Sequence, residues 1–261
     1  MKRISFITSI VASLALLAPL SLFADGHEEA EAAPPPLTEV WMAVPKAGMM
    51  SDFVKAVTAD VAVRQEKGDS RSWQAYTVAV GDNMNIVQFR ACCFNWADQD
   101  TYMADSMEKG LGQNWQDNVH QYVDHYHHYF EYNDWENSHW PDGEGNGPYY
   151  GVTTWTQKQG AGPASGEARK KMSQTAKEND WGSNWLWLFR VGGKSTTAVA
   201  TSYSNYADME PPEQDLFEFM AEKLGAEEAA KVLTDFGSGF ADSDYTIWKH
   251  HEGMSYAAAE E

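Results

Sequence analysis

Apolar positions in this chain follow two periods. Period-two or filled β-type runs occupy Val40–Val44, the paired runs within 72–98, His125–Tyr132, Tyr150–Thr156, the paired runs within 184–208, and Tyr245–Lys249. Between them the spacing turns helical. Met50, Phe53, Val54, Val57 and Val61 share one face, as do Tyr102, Met103, Ser106, Met107 and Leu111. A weaker, more charged helix is predicted over Ser165–Glu178, and another carries Leu216, Phe217, Met220 and Leu224. Asp98 is placed to cap the second helix. The predicted order is β-α-β-β-α-β, twice.

The repetition extends to residues. Ser72–Asp98 and Asn184–Asp208 each open on a Trp (Trp73, Trp185), run through a strand, a Gly-containing turn and a second strand, and close on Asn-aromatic-Ala-Asp. Asn95-Trp96-Ala97-Asp98 aligns with Asn205-Tyr206-Ala207-Asp208, and the matched Trp73 and Trp185 are expected core anchors. Asn133–Pro148, rich in Gly, Pro and Asp, reads as the join. The expected fold class is therefore α+β, with two tandem ferredoxin-like halves (37–133 and 149–252) forming an intramolecular α+β barrel, a linker at 134–148 and a tail at 253–261. Over Val40–Lys249 this layout resembles the dimeric α+β barrel superfamily, and its strand-hairpin residues followed by aromatic-Ala-Asp look most like NIPSNAP-type domains. The resemblance implies two packed sheets under outer helices, with small ligands in clefts between sheet and helices. It also implies activities among oxygenases, isomerases and heme enzymes.

The N-terminus changes the setting. Lys2 and Arg3 precede an uncharged apolar run that closes on Ser21-Leu22-Phe23-Ala24, the pattern of a cleavable export signal over 1–24. The acidic, Pro-closed segment 25–36 reads as a solvated spacer. A periplasmic or secreted location is expected, without a stable membrane anchor once the signal is cleaved. The formal charge of −19 disfavours nucleic acid, which selects clustered Lys and Arg, and favours solubility. Cys92 and Cys93 are adjacent, and on a regular strand such neighbours point to opposite faces, so two small buried, unbonded residues are expected. Because the fusion supplies both halves, the chain is expected as a monomer or weak oligomer.

Candidate chemistry concentrates at 120–131. On a strand, His125, His127, Tyr129 and Glu131 share one face, while Asp124, Tyr126, His128, Phe130 and Tyr132 share the other. His125 and His127 could chelate a transition metal, with His120 or Glu131 completing the set. The competing reading treats these His and Tyr residues as polar-tipped core filling. Tyr126, His128 and Arg90 are candidate ligand-binding residues; Arg90, sharing a face with Gln88, could bind an anionic ligand or a buried acid, although an edge Arg in solvent also fits. Aligning Val123-Asp124 with Ala241-Asp242 places His125, His127 and His128 opposite Ser243, Tyr245 and Thr246, so any such site occurs once. His250 and His251 read as a solvated pair near the end of the chain. No histidine lies between His139 and His250, which removes the second-half helix ligand that a chlorite-dismutase-like heme needs, and Trp115 with His120 is a poor match to heme-degrading relatives.

No phosphate loop, nucleophile elbow or CxxC motif is present. The leading reading is an exported small-ligand-binding barrel of open catalytic status. The alternatives are a metal-assisted or cofactor-independent oxygenase or isomerase, and a structural or interaction module without ligand.

Overall fold

β-Branched and aromatic residues dominate the strands, and each strand must bury one face under helices and the other inside a closed sheet. The structure, a computed structural model, describes residues 34–140 and 147–259. The export signal, most of the spacer and the centre of the linker lie outside the described residues. In chain order the elements are β1 (Leu37–Pro45), α1 (Met50–Lys67), β2 (Gln74–Val80), β3 (Val87–Phe94), α2 (Trp96–Glu108), α3 (Leu111–Asn118) and β4 (Val123–Asn133). There follow β5 (Tyr149–Gln157), α4 (Gly162–Glu178), β6 (Leu186–Val191), β7 (Thr196–Tyr203), α5 (Leu216–Leu224), α6 (Ala226–Ser238) and β8 (Phe240–His250). The eight strands close into an antiparallel barrel. Around it, β4-β1-β3-β2 is followed by β8-β5-β7-β6.

Two faces result. Ala43, Ala75, Val87, Phe89 and Ala91 pack outward against Phe53 and Val57 of α1. Alternation then turns Thr38, Val40 and Met42, with Gln88 and Arg90, toward the barrel interior. The interior also holds Leu186, Leu188, Ala198 and Ala200, beside Val78, Tyr150 and Trp248.

Helix ends depart from expectation in informative ways. The helix predicted to run through Leu111 breaks at Gly110, whose φ of 64° ends α2 and starts α3. Asn95, not Asp98, caps α2; Asp98 lies three residues on, and its carboxylate accepts from the Asn95 N–H at 2.7 Å. β3 carries an extra residue where Leu37 pairs with Phe94 and Thr38 with Cys92. That bulge removes the strict alternation on which the unbonded-cysteine expectation rested, and Cys92 and Cys93 form a vicinal disulfide across a cis peptide bond.

The C-terminal residues are not a solvated appendage. The chain turns back after β8, Tyr256 pairs with Trp73, and Met254 and Tyr256 are buried with the α1 core. His250 is accordingly half-buried between Gln74 (2.8 Å) and Ser255 (3.0 Å), and the Nδ1 of His251 is buried, which corrects the solvated-pair reading. Among the described residues, no helix is long and apolar enough to cross a membrane.

Candidate functional site

β4 sorts the candidate residues by face. It pairs with β1 so that Phe130 lies opposite Glu39, His128 opposite Trp41, and Tyr126 opposite Ala43. Ala43 faces the helices, so Tyr126, His128 and Phe130 do too. His125, His127, Tyr129 and Glu131 point into the barrel. The rings of His125 and His127 lie 5.2 Å apart, but His120 is on the outer side, where its Nδ1 meets the Tyr126 hydroxyl at 3.3 Å. Glu131 is committed to Arg90, Nη2 to Oε2, at 2.6 Å. Among the described residues no three His, Cys, Asp or Glu side chains are grouped to hold a metal. The proposed metal set is thus divided between two faces, and a His pair alone is short of the ligands that a stable site needs. α4, α5 and α6 contain no histidine to ligate a heme.

Arg90 is an interior residue, not an edge residue in solvent. Its guanidinium and Glu131 bracket Val40 and Thr38 of β1 from opposite sides. Arg190 lies beside them, its guanidinium 3.8 Å from the Tyr129 ring centre. Burial, with Glu131 adding to it, pushes the Tyr129 hydroxyl up to about 12. Tyr76 and Tyr150 meet edge to face at 5.3 Å in the same interior, and burial raises both hydroxyls above their ordinary range.

The outer face of β1 and β4 is the more open site. Here sequence reasoning missed Glu39 and Trp41. Glu39 is 5% exposed, and every bond it makes runs to a group on this face. Its Oε1 accepts from Trp41 Nε1 at 2.9 Å and bonds His128 Nε2 at 3.0 Å; its Oε2 accepts from Arg71 at 2.8 Å and Gln99 at 3.4 Å. Burial opposes the charge, but His128, Trp41 and Arg71 outweigh it and hold the carboxyl below the usual carboxylate range. Arg71 is itself pressed on Phe94 and Tyr102, at 4.0 and 3.9 Å. The His128 ring stacks on Trp41 at 3.9 Å and 13°. Phe130 lies beside it at 5.3 Å, and Trp96, the first residue of α2, is 5.0 Å from Phe130. Farther along, Trp115 of α3 donates to the Tyr126 hydroxyl at 3.0 Å.

What leaves this aromatic row accessible is α2, which buries none of its residues. Trp41 is 37% exposed and Trp96 52%. In the second half α4 buries Ala168, Met172 and Ala176, α5 and α6 bury Phe219, Met220, Val232 and Phe236, and these cover Trp155 and Trp187, which lie level with the buried Ala43 and Ala75. Strand registers also show which residues of β5 and β8 lie level with those of β1 and β4. β4 and β8 slip by one residue at the same place against β1 and β5, which sets His125, His127 and His128 level with Asp242, Asp244 and Tyr245. This shifts the sequence alignment by one residue, and Glu39 and Trp41 fall level with Gly151 and Thr153. The carboxylate and imidazole therefore occur once.

No family model matches the chain, and no curated protein matches it. Solved structures do. A monooxygenase candidate from Lactobacillus acidophilus NCFM superposes with a TM-score of 0.52 at 8% identity, covering 86% of this chain and 97% of that one. The fold is that of the α+β barrel proteins. An anthrone oxidase-like protein (TM-score 0.48, 12% identity, 86% and 94% covered) and a mutant chlorite dismutase from Candidatus Nitrospira defluvii (0.49, 8%, 85% and 94%) are also similar.

Proposed function

We propose that the protein binds a small, flat, largely apolar ligand in the cleft between the outer face of β1 and β4 and helix α2. One observation carries this reading: α2 buries none of its residues beside a row of partly exposed Trp, His and Phe side chains anchored on the buried Glu39, whereas Gly151 and Thr153 stand level with Glu39 and Trp41 in the second half. Unfilled aromatic surface above a buried polar anchor is the usual make-up of a small-molecule site. Tyr126 and His128 belong to that cleft. Arg90, proposed from sequence as a ligand contact, serves the interior instead.

The finer reading is of two duplicated ferredoxin-like halves close to NIPSNAP-type domains. The strand order within each half and the bulge shared by β4 and β8 support the duplication. We further propose that the chain is exported by residues 1–24 and acts in the periplasm or outside the cell, as a monomer or weak oligomer. The acidic surface suits that setting.

Equilibrium dialysis of 2-naphthol, a flat aromatic probe, tests the cleft. Wild type should bind it, and Trp41→Ala and Trp96→Ala should each weaken binding several-fold. Equal binding by all three proteins would remove the cleft as the site.

A further inference from the structure

The cleft holds more than an aromatic platform. A buried carboxylate meets one nitrogen of a half-exposed imidazole, while the other nitrogen, Nδ1, has no hydrogen-bond partner among the described residues. Glu39 is fixed from three sides by Trp41, Arg71 and Gln99, and stacking on Trp41 fixes the plane of the His128 ring. A carboxylate accepting from Nε2–H selects the tautomer whose Nδ1 lone pair is free. Of the other titratable groups on this face, His120 meets Tyr126, and Arg71 pairs with the second oxygen of the same Glu39.

We propose that His128 is a proton acceptor for a flat, weakly acidic ligand, a phenol or an enolisable ring ketone, with Glu39 as its positioning residue. This rests on the cleft reading above and deepens it. In the step, the ligand's O–H or acidic C–H bond breaks and its proton joins Nδ1. The electron pair stays on the ligand as phenolate or enolate, whose charge faces the imidazolium, while Glu39 holds the imidazolium by a hydrogen bond and shares its charge with Arg71. Return of the proton to the same or a neighbouring ligand atom completes release or tautomerisation, and no oxidant enters. A fixed imidazole with a buried carboxylate behind it stabilises the charged pair only after the transfer, which is the requirement for a general base. The rings of Trp41 and Trp96 offer stacking surface to the ligand anion beside that imidazolium.

The test follows 2-naphthol by absorbance, which separates naphthol from naphtholate, in wild type, His128→Gln and Glu39→Gln. At a fixed pH, bound naphtholate relative to naphthol should fall about tenfold or more in His128→Gln, as loss of a paired cation predicts. Glu39→Gln should lower it by an intermediate factor. ¹⁵N spectra of the histidines should show the Nε2–H tautomer of His128 in wild type and lose that preference in Glu39→Gln, a change that mere loosening of the fold would not single out. If wild type and His128→Gln bind the probe equally with the same naphtholate ratio, the proton-acceptor role is overturned and the cleft stands. If wild type does not bind the probe, the cleft reading falls and takes this role with it.

Discussion

Removing one partner of the Arg90–Glu131 pair should be costly, and by an amount that depends on which partner goes. The two groups meet at 2.6 Å across β1, with side-chain exposures of 20% and 9%. Opposite unit charges some 4 Å apart attract by about 4 kcal/mol at an effective dielectric of 20, and orphaning one buried member typically costs about 3–5 kcal/mol. Glu131→Leu leaves Arg90 orphaned, with Arg190 directly across the strand pair from position 131. The full cost of about 3–5 kcal/mol is expected. Arg90→Met leaves Glu131 facing Arg190, a cation with no ion pair among the described residues, so roughly half that cost is expected. The double variant replaces the pair with apolar volume and should recover about 2 kcal/mol relative to the sum of the singles. Urea unfolding of the four proteins measures this, provided the slope with denaturant stays constant. Additive losses, or a Glu131→Leu cost no larger than that of Arg90→Met, would refute the interior charge argument.

Three further perturbations probe other links. A Cβ at Gly239 would lie 2.5 Å from the Cβ of Ser165 in α4, so Gly239→Ala should lose about 1–3 kcal/mol in the same assay. Asp215 caps α5 by accepting from the Glu218 N–H at 2.8 Å, and Asp215→Ala should cost about 1 kcal/mol. Burial lowers the His250 imidazole below its ordinary 6.5, so the folded state binds fewer protons there than the unfolded chain. Its contribution is present above that value and is lost as pH falls below it. His250→Gln should flatten the acid side of the stability–pH curve, and an unchanged slope would contradict the burial of His250.

The strands and the helices α1, α2, α4 and α5 were legible because period-two and period-3.6 runs alternate and Gly-containing turns separate them, while α3 and α6 went unread. The faces of β4 were legible for the same reason: alternation alone parts His125 and His127 from Tyr126 and His128. What escaped is whatever one extra residue changes. The bulge at the start of β4, matched in β8, moved the correspondence of the halves by one position, and the bulge in β3 undid the expected separation of Cys92 from Cys93. Glu39 and Trp41 escaped for a different reason. Neither belongs to a motif, and their meaning comes from His128, Arg71 and Gln99, which are distant in sequence and meet them only when β1 lies between β3 and β4. The return of the C-terminal residues onto the α1 core was equally invisible, since a short polar-flanked segment with one Met and one Tyr carries no period.

A flat ligand is expected on the aromatic row of β1 and β4 and not at Trp155 and Trp187, which the helices of the second half cover. Fluorine NMR of protein labelled with 5-fluorotryptophan, each signal assigned by single Trp→Phe variants, reads both faces at once during titration with 2-naphthol. The Trp41 and Trp96 signals should move together and saturate while those of Trp155 and Trp187 stay in place. Movement of Trp155 and Trp187 with Trp41 and Trp96 unmoved would contradict that placement.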